Sequence, residues 1–237
     1  MNAFRIARVL AAGAAVAAGA AALLTASPGP PPASAAPCPD AEVVFARGTG
    51  EPVGVGGIGQ SFVDAVRAAA PGKSVDVYAV NYLASDQFSD RMEFARSVVD
   101  GIRDAGDHVM ATAANCPNTK IILGGYSQGA VVAGFTTADA VPAGVPPELV
   151  PAPMPRQVAD HVAAVALFGM PSAAWMQSYG APPVVIGPLY ADKTIQLCSP
   201  GDTICDGEAG AMPNIAHMMY PVNGLVGQAA TYVAHRI

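Results

Sequence analysis

Short apolar runs rich in β-branched residues recur along the chain, separated by longer stretches with helical periodicity. The runs cover residues 41–46, 75–80, 120–125, 162–168 and 194–198. Their length and their Val and Ile content are typical of strands that are buried on both faces. Strands that alternate with helices predict an α/β fold, in which a mostly parallel sheet lies between two layers of helices.

The predicted helices have apolar residues at three- and four-residue steps. Residues 91–110 and 58–70 show this spacing most clearly, and further helices are expected after residue 127 and over residues 222–237. Residues 141–157 contain six prolines, which exclude regular secondary structure. We interpret them as a loop that covers one edge of the sheet, because too few residues follow to form a second domain.

The first 36 residues have the composition of an export signal. Arg5 and Arg8 precede an apolar run of 18 residues, and a Pro-rich stretch with small residues follows it. We expect cleavage after Ala35 or Ala36. The alternative is an uncleaved anchor, because about 17 apolar residues are enough to span a bilayer. Cleavage would leave residues 37–237, which are enough for a single domain with a substantial core.

The expected mature chain is acidic. The whole sequence has 12 basic and 18 acidic side chains, and removing Arg5 and Arg8 leaves 10 against 18, a net charge of −8. No basic cluster is present in the sequence. The charge pattern therefore argues against nucleic acid and against anionic membrane surfaces as partners.

All four cysteines, Cys38, Cys116, Cys198 and Cys205, lie in the expected mature chain. An even number of cysteines in an exported chain predicts two disulfides, and four cysteines allow three pairings. We favour a short clip between Cys198 and Cys205 and a long bridge between Cys38 and Cys116. The spacing does not fit a zinc site, because no C-x-x-C motif is present and no histidine lies close to the pairs.

Residues 125–129 read Gly-Tyr-Ser-Gln-Gly, a G-x-S-x-G pattern centred on Ser127. An apolar run enters the pentapeptide and an apolar helical stretch leaves it, which is the strand-turn-helix setting of a nucleophilic serine. The glycines on either side would leave room for a strained turn. The start of the following helix would offer the N–H of Gln128 to an oxyanion. The pattern therefore predicts that Ser127 is a nucleophile, with a plain turn as the alternative.

A neutral serine needs a base, and on this fold the order along the chain is serine, acid, histidine. That order excludes His108. His161 lies at the start of a predicted strand, whereas ligands bind at the carboxyl ends of parallel strands. His235 falls in the predicted terminal helix, where a solvated face is the simpler interpretation. His217 is therefore the predicted base, with a packing role among its apolar neighbours in a loop as the alternative.

The predicted acid is Asp202, which lies 15 residues before His217. It falls in the loop that the expected short disulfide would close just after the last predicted strand, where a carboxylate would be held in place. Asp206 falls outside that loop, and Asp192 precedes the strand and so starts from the opposite end of the sheet. We interpret both of these as solvated carboxylates.

A second glycine pattern, G-x-G-x-x-G, is formed by Gly54, Gly56 and Gly59, and Asp76 follows 17 residues later. This pattern binds dinucleotides when it lies in the tight turn directly after a strand. Here the glycines begin nine residues after Phe45, near the end of the first predicted strand, and an exported protein would rarely meet NAD. We therefore interpret the stretch as a glycine-rich loop.

Four motifs follow one another along the chain: FARGTGEP, GGYSQGA, CSPGDTIC and HMMYP. Together they resemble the cutinase family of serine esterases, in particular the exported cutinase-like proteins of actinobacteria, and the resemblance covers residues 38–237. It implies a three-layer α/β-hydrolase-type fold with a five-stranded parallel sheet and a largely lidless site. It also implies the two disulfides favoured above.

The resemblance assigns roles to individual residues. It implies that Ser127, Asp202 and His217 form a catalytic triad. It adds Thr49, which would be the second oxyanion donor beside Gln128, through its N–H and its hydroxyl. Many fungal members have serine where this chain has Thr49, so the hydroxyl is kept on a side chain with fewer rotamers.

These features predict a secreted, monomeric enzyme that hydrolyses carboxylic esters through an acyl-enzyme, with no metal and no organic cofactor. Apolar residues near His217 favour lipid esters with short to medium acyl chains and a transient contact with a lipid interface. One alternative is a polysaccharide acetyl esterase, since the resemblance extends to carbohydrate deacetylases; Trp175 and Tyr179 would then stack on sugar. The other is a surface-binding protein that keeps the fold without the chemistry. The secreted chain would be free outside the cell or associated with the cell envelope.

Overall fold

Five parallel strands form the centre of the fold. In the computed structural model, which describes residues 37–207 and 209–237, they are β1 (Ala41–Ala46), β2 (Val75–Ala79), β3 (Lys120–Tyr126), β4 (Val162–Phe168) and β5 (Thr194–Leu197). Every pairing is parallel, and the order across the sheet is β2-β1-β3-β4-β5. The predicted five-stranded parallel sheet is confirmed. The expected leader, residues 1–36, lies outside the described residues.

Helices cover both faces of the sheet. The α-helices in the described residues are α1 (Gly56–Ala69), α2 (Arg91–Asn115), α3 (Gln128–Thr136), α4 (Ala173–Ser178), α5 (Pro188–Ala191) and α6 (Leu225–Ala234). Short 3₁₀ helices are formed by Pro147–Leu149, Arg156–Asp160 and Ile215–Met218. α1 and α6 pack on one face, and α2 and α3 pack on the other, which is the predicted three-layer α/β fold. Within the described residues, no helix combines the length and apolar character that crossing a bilayer requires.

The side chains of the strands alternate between the two helical layers. On β1, Val43 and Phe45 belong to the core beneath α1 and α6, whereas Val44 and Ala46 belong to the core beneath α2 and α3. All four side chains are fully buried. Burial on both faces explains why the strands appear in the sequence as unbroken apolar runs.

α2 is longer than the sequence predicted, because it continues past residue 110 to Asn115. It begins after Asp90, whose carboxylate accepts hydrogen bonds from the N–H groups of Met92 and Glu93 and so caps the first turn. The added turn is rich in alanine, which has the highest intrinsic helix propensity. Cys116 follows directly, so the helix ends at a disulfide.

The proline-rich segment, residues 141–157, is irregular over most of its length, as the sequence predicted. It also contains the 3₁₀ helix Pro147–Leu149 and packs beside α2. A Cβ atom added to Gly106 of α2 would lie 3.9 Å from Cγ of Met154. Proline at the start of a helical turn loses no hydrogen bond, which is why the short helix tolerates Pro147.

Candidate active site

Ser127 lies on the turn between β3 and α3, at the carboxyl end of a central strand. Its backbone has φ 53° and ψ −119°, which is a strained conformation for a residue with a side chain. A Cβ atom on Gly125 would overlap the carbonyl oxygen of Gly129, and a Cβ atom on Gly129 would overlap that of Ala46. The two glycines of the G-x-S-x-G pattern are therefore required by backbone crowding around Ser127.

His217 and Asp202 reach Ser127 from the chain that follows β5. Ser127 Oγ lies 3.0 Å from His217 Nε2, and His217 Nδ1 lies 2.8 Å from Asp202 Oδ2 and 2.9 Å from Oδ1. The imidazole and the carboxylate are buried, whereas Ser127 is half-buried. When Nδ1–H donates to the carboxylate, the free Nε2 can accept the serine proton. The structure thus brings the three predicted residues within hydrogen-bond reach of one another.

The backbone around His217 is more ordered than the predicted loop. It forms the 3₁₀ helix Ile215–Met218, which Asn214 caps by accepting a hydrogen bond from the N–H of His217 at 3.3 Å. The Asn214 side chain also donates through Nδ2 to the carbonyl of Gly201 at 2.8 Å. One asparagine therefore connects the turn that carries the histidine to the loop that carries Asp202.

Two further residues, one before Ser127 and one after β4, determine the position of His217. The hydroxyl of Tyr126, the residue before Ser127, donates to the carbonyl of His217 at 2.8 Å. Burial raises the pKa of the Tyr126 phenol, which keeps it protonated and able to donate. On the other side, Gly169 has φ 56°, and a Cβ atom there would lie 3.0 Å from Cε1 of His217. A glycine after β4 therefore leaves the space that the ring occupies.

Tyr220 holds the carboxylate of Asp202, and sequence reasoning missed it. Its hydroxyl donates to Asp202 Oδ2 at 2.5 Å and accepts a hydrogen bond from the N–H of Ser199 at 3.1 Å. Burial and the bonded carboxylate raise the pKa of the Tyr220 phenol, so it remains a donor. Its position three residues after His217, in the HMMYP motif, was the signal that could have identified it.

The carboxyl group of Asp202 is fully buried yet ionised. Burial alone raises its pKa, but hydrogen bonds from His217, from Tyr220 and from the N–H of Ile204 lower it. Together these bonds outweigh burial and hold the pKa of Asp202 below its ordinary value of 3.8. An ionised Asp202 can orient the imidazole and stabilise the imidazolium that forms when His217 takes a proton.

The two predicted oxyanion donors border the same cavity as Ser127. Gln128 opens α3, so its N–H has no acceptor within the helix. Its side chain donates through Nε2 to the carbonyl of Ser85 at 3.2 Å, which ties α3 to the loop after β2. Thr49 lies in the turn after β1 and lines the cavity beside Gln128. The placement of both residues agrees with the predicted role.

A buried arginine organises the turn that carries Thr49, and sequence reasoning missed this role as well. Arg47 is 3% exposed. Its guanidinium donates to the carbonyls of Glu51 at 2.8 Å, Tyr82 at 2.6 Å and Leu83 at 3.1 Å. These bonds connect the loops after β1 and β2. The arginine of the FARGTGEP motif thus fixes the backbone on which Thr49, the second predicted oxyanion donor, lies.

The G-x-G-x-x-G stretch surrounds a carboxylate of the protein itself. Glu51 Oε1 accepts a hydrogen bond from the N–H of Gly57 at 2.8 Å, and Oε2 accepts one from Gly48 at 2.6 Å. Gly56 begins α1 with φ 72°, and a Cβ atom there would overlap the Glu51 carboxylate. Glu51 therefore occupies the helix N-terminus that a dinucleotide phosphate would need, in agreement with the interpretation as a glycine-rich loop.

Both favoured disulfides are confirmed. The Cα atoms of Cys38 and Cys116 lie 5.6 Å apart, and those of Cys198 and Cys205 lie 5.7 Å apart. The short bridge closes the loop that carries Asp202, while the long bridge lies at the opposite end of the sheet. The sulfur atoms of Cys198 and Cys205 lie close to Asp202, but they are bonded to each other and cannot act as thiolate ligands for a metal.

Within the described residues, none of the other candidate histidines and acids has a side chain hydrogen-bonded to Ser127 or His217. His161 precedes β4, at the amino end of the sheet. His108 stacks on Tyr78 with the ring centroids 3.4 Å apart, and His235 is exposed after α6. The alternative acids are both exposed: Asp192 and Asp206.

Ser127 opens into a large cavity of about 1020 Å³. Thr49, Gln128 and His217 line it near the serine, and it continues between α2, α3 and the proline-rich segment. Most of the side chains that line it are apolar. The site can therefore hold a sizeable apolar group beside the serine, the imidazole and the two predicted oxyanion donors.

Comparison with known proteins gives consistent matches over this chain. The Cutinase family model matches residues 37–237. The chain is 55% identical over 166 residues to the probable carboxylesterase Culp7 of Mycobacterium tuberculosis, which covers 70% of this chain and 86% of that protein. It is similar to the structure of Trichoderma reesei cutinase with a phosphonate inhibitor, at 30% identity and a TM-score of 0.60, covering 84% and 77% of the two chains. It is also similar to the catalytic core domain of Trichoderma reesei acetyl xylan esterase, at 25% identity and a TM-score of 0.66, covering 85% and 100%.

Proposed function

The chain belongs to the cutinase family, and on that premise we propose that it hydrolyses carboxylic esters through an acyl-enzyme formed on Ser127. The observation that carries this proposal is the unbroken chain of hydrogen bonds from Ser127 Oγ through the imidazole of His217 to the carboxylate of Asp202. Ester hydrolysis also agrees with the names of its relatives, a probable carboxylesterase and a cutinase.

The reaction begins when Ser127 Oγ attacks the ester carbonyl and His217 Nε2 takes its proton. The N–H of Gln128, together with Thr49, stabilises the negative charge on the carbonyl oxygen. Asp202 stabilises the imidazolium. The imidazolium then gives its proton to the leaving alcohol, which leaves the acyl group on the serine. His217 next activates a water molecule that attacks the acyl-enzyme, and the acid is released as Ser127 recovers its proton.

We favour lipid esters with short to medium acyl chains as substrates. Apolar side chains close to His217 are unusually exposed: Met212 by 70%, Ile215 by 72% and Met218 by 60%. Exposed apolar groups beside a site are typical of surfaces that touch other apolar surfaces. They support a transient contact of the monomer with a lipid interface. The two disulfides support secretion, because disulfides persist in oxidising compartments.

The two alternatives receive less support from the geometry. Trp175, which we expected to stack on sugar in an acetyl esterase, is 7% exposed, and its Nε1–H donates to the carbonyl of Ala211 at 2.8 Å. Its ring packs against Phe88 and Tyr179 in a small core, so although it borders the cavity, little of its surface is left to stack on a sugar. A binding protein without chemistry would have no need for the buried hydrogen bonds that Tyr220 and Asn214 add around Asp202 and His217.

The proposal is tested by the hydrolysis of p-nitrophenyl butyrate under pre-steady-state conditions. Formation of an acyl-enzyme predicts a burst of p-nitrophenol close to one equivalent per enzyme wherever deacylation is the slower step. Acetylated xylan serves as the comparison substrate and should be hydrolysed far more slowly. Folded protein that leaves the butyrate ester intact would contradict the proposed function, and preference for acetylated xylan would favour the carbohydrate esterase.

Replacing the two disulfides separately should separate their roles. Cys198→Ser with Cys205→Ser frees the loop that carries Asp202, so we expect lower turnover and a loss of stability of about 2.5 kcal/mol. Cys38→Ser with Cys116→Ser opens a long loop away from the site, so we expect a loss of about 4 to 5 kcal/mol with turnover of the folded protein unchanged. Urea unfolding and butyrate hydrolysis measure the two effects. Equal losses of turnover in both variants would contradict the local role of the short bridge.

A further inference from the structure

The turn after β1 carries Thr49 between two glycines whose N–H groups are already hydrogen-bonded. We propose that Glu51 is a positioning residue of the oxyanion hole, because its carboxylate holds this turn and leaves the N–H of Thr49 available to the substrate. The inference rests on the proposed ester hydrolysis and adds to it a residue that acts through another.

The N–H groups of this turn differ in whether they have an acceptor. Gly48 N–H donates to Glu51 Oε2 at 2.6 Å, and Gly50 N–H donates to the carbonyl of Ala84 at 2.8 Å. Glu51 N–H closes the turn by donating to the carbonyl of Gly48 at 3.2 Å. Within the described part of the chain, the N–H of Thr49 has no hydrogen-bond acceptor. An unbonded backbone N–H that borders the cavity of the nucleophile is the donor that an oxyanion hole requires.

The second oxygen of the Glu51 carboxylate connects the turn to α1. Oε1 accepts a hydrogen bond at 2.8 Å from the N–H of Gly57, in the first turn of that helix. The described first turn of α1 contains no acidic side chain, so Glu51 supplies an acceptor that the N-terminal N–H groups need. α1 packs on the sheet through buried apolar side chains. One carboxylate therefore ties Gly48, the residue before Thr49, to a firmly packed helix.

The space around the carboxylate fits a glutamate side chain closely. A Cβ atom on Gly56 would overlap the carboxylate, and one on Gly48 would lie 3.2 Å from Oε2. Gly56 also has φ 72°, which glycine adopts without steric cost. Glutamine has the same shape as glutamate and fits the same space. It has only one acceptor oxygen, however, so its NH₂ group would face one of the two N–H groups.

The backbone of the turn is also held by contacts that do not involve the Glu51 side chain. Arg47 Nε donates to the carbonyl of Glu51 at 2.8 Å. Ala84, the acceptor on the other side of the turn, is 1% exposed and has φ 52°. A positive φ is uncommon for alanine and persists where the surrounding structure enforces it. Loss of the carboxylate should therefore release Gly48 and shift Thr49 without unfolding the turn.

A displaced oxyanion donor should affect the transition state more than the bound ester. Formation and hydrolysis of the acyl-enzyme both pass through an oxyanion, whereas the bound ester carries no such charge. Removing one donor costs on the order of 100-fold to 1,000-fold in turnover, and displacing it should cost less. We expect Glu51→Gln to lower kcat for p-nitrophenyl butyrate by about tenfold and to leave KM within about twofold of the wild-type value.

A trifluoromethyl ketone with a short alkyl chain measures the oxyanion hole separately from turnover. The hydroxyl oxygen of Ser127 adds to the ketone carbonyl and His217 takes the hydroxyl proton. The carbonyl oxygen of the resulting tetrahedral adduct carries the negative charge. Because the adduct resembles the transition state, its Ki should rise in Glu51→Gln by about the factor by which kcat/KM falls.

Asp40→Asn is the matched control. Asp40 directly precedes β1, at the amino end of the sheet, and its Oδ2 accepts a hydrogen bond from the N–H of Ser74 at 2.8 Å. The variant makes the same exchange of a carboxylate for an amide beside a backbone N–H, but away from Ser127. Its kcat and its Ki for the ketone should equal those of the wild-type enzyme.

Glu51→Asp is a second variant, since a side chain shorter by one methylene cannot bridge the two N–H groups, and its kcat and Ki should change in the same directions. Circular dichroism checks that each variant is folded. Folded Glu51 variants with wild-type kcat and Ki would overturn the inference, and so would a lower kcat with an unchanged Ki. Unfolding of both variants would show a purely structural role and overturn it as well. Wild-type enzyme that leaves the butyrate ester intact would instead overturn the proposed function.

Discussion

Ser127→Ala should lower the turnover of p-nitrophenyl butyrate by about 10⁴-fold or more, because no other group in the site can form the acyl-enzyme. The oxyanion donors remain and should leave a small residual rate above that of water. The fold should be almost unaffected, since the variant loses one half-buried hydrogen bond between Oγ and His217 Nε2.

Ser61→Ala is the matched control for this variant. Ser61 lies in α1, and its hydroxyl donates to the carbonyl of Gly57 at 3.0 Å, away from the site. Its turnover should equal that of the wild-type enzyme. Circular dichroism and thermal unfolding would show that both variants are folded. A folded Ser127→Ala protein with wild-type turnover would mean that the nucleophile lies elsewhere.

Asp202→Asn should have the next largest effect, a fall in turnover of about 10³-fold to 10⁴-fold. An asparagine amide can donate to His217 Nδ1, and this favours the tautomer that carries its proton on Nε2. That tautomer cannot accept the proton of Ser127. Tyr220 would keep an acceptor in the asparagine carbonyl, so the geometry should survive while the chemistry is lost. Steady-state kinetics on the butyrate ester measures this effect.

The same variant should change the response of stability to pH. Hydrogen bonds hold the pKa of Asp202 below 3.8 in the folded protein. Its ionisation therefore stabilises the fold fully at pH values above 3.8, and this contribution is lost as the pH falls through the lower folded value. The Asp202→Asn protein would lack the contribution, because its amide does not ionise. The difference in unfolding free energy between the wild-type and variant proteins should be largest near neutral pH and should shrink towards about pH 3.

Asp206→Asn is the control for both readouts, because Asp206 is exposed and lies only four residues from Asp202. It should leave turnover and the pH dependence of stability close to those of the wild-type protein. Urea unfolding at the two pH values measures the free energies. A gap between the wild-type and Asp202→Asn proteins that stays constant over this range would contradict the lowered pKa.

The sequence predicted the sheet well because its signals are local. Strands buried on both faces must be apolar throughout, and β1, β3 and β4 differ from their predictions by one residue at most. The G-x-S-x-G pattern was also informative, since its glycines are fixed by crowding within the turn itself. The order of residues along the chain and the strand ends then selected His217 and Asp202.

The parts that the sequence did not reveal depend on contacts between distant segments. Tyr220 has the composition of an ordinary core residue, and its hydrogen bond to Asp202 follows from how two loops meet after β5. Arg47 looks like a surface charge until the loop after β2 closes over it. The cavity at Ser127 likewise depends on where the proline-rich segment packs, and proline content alone does not determine that position.

The most direct test of the central claim is covalent labelling with a fluorophosphonate probe, followed by identification of the labelled peptide. We expect a single adduct on Ser127, and its formation should be greatly slowed in His217→Ala because the base that activates the serine is missing. His161→Ala, which changes a histidine at the other end of the sheet, should label at the wild-type rate. Folded wild-type protein that fails to react, or that carries the adduct on another residue, would contradict the assignment of Ser127 as the nucleophile.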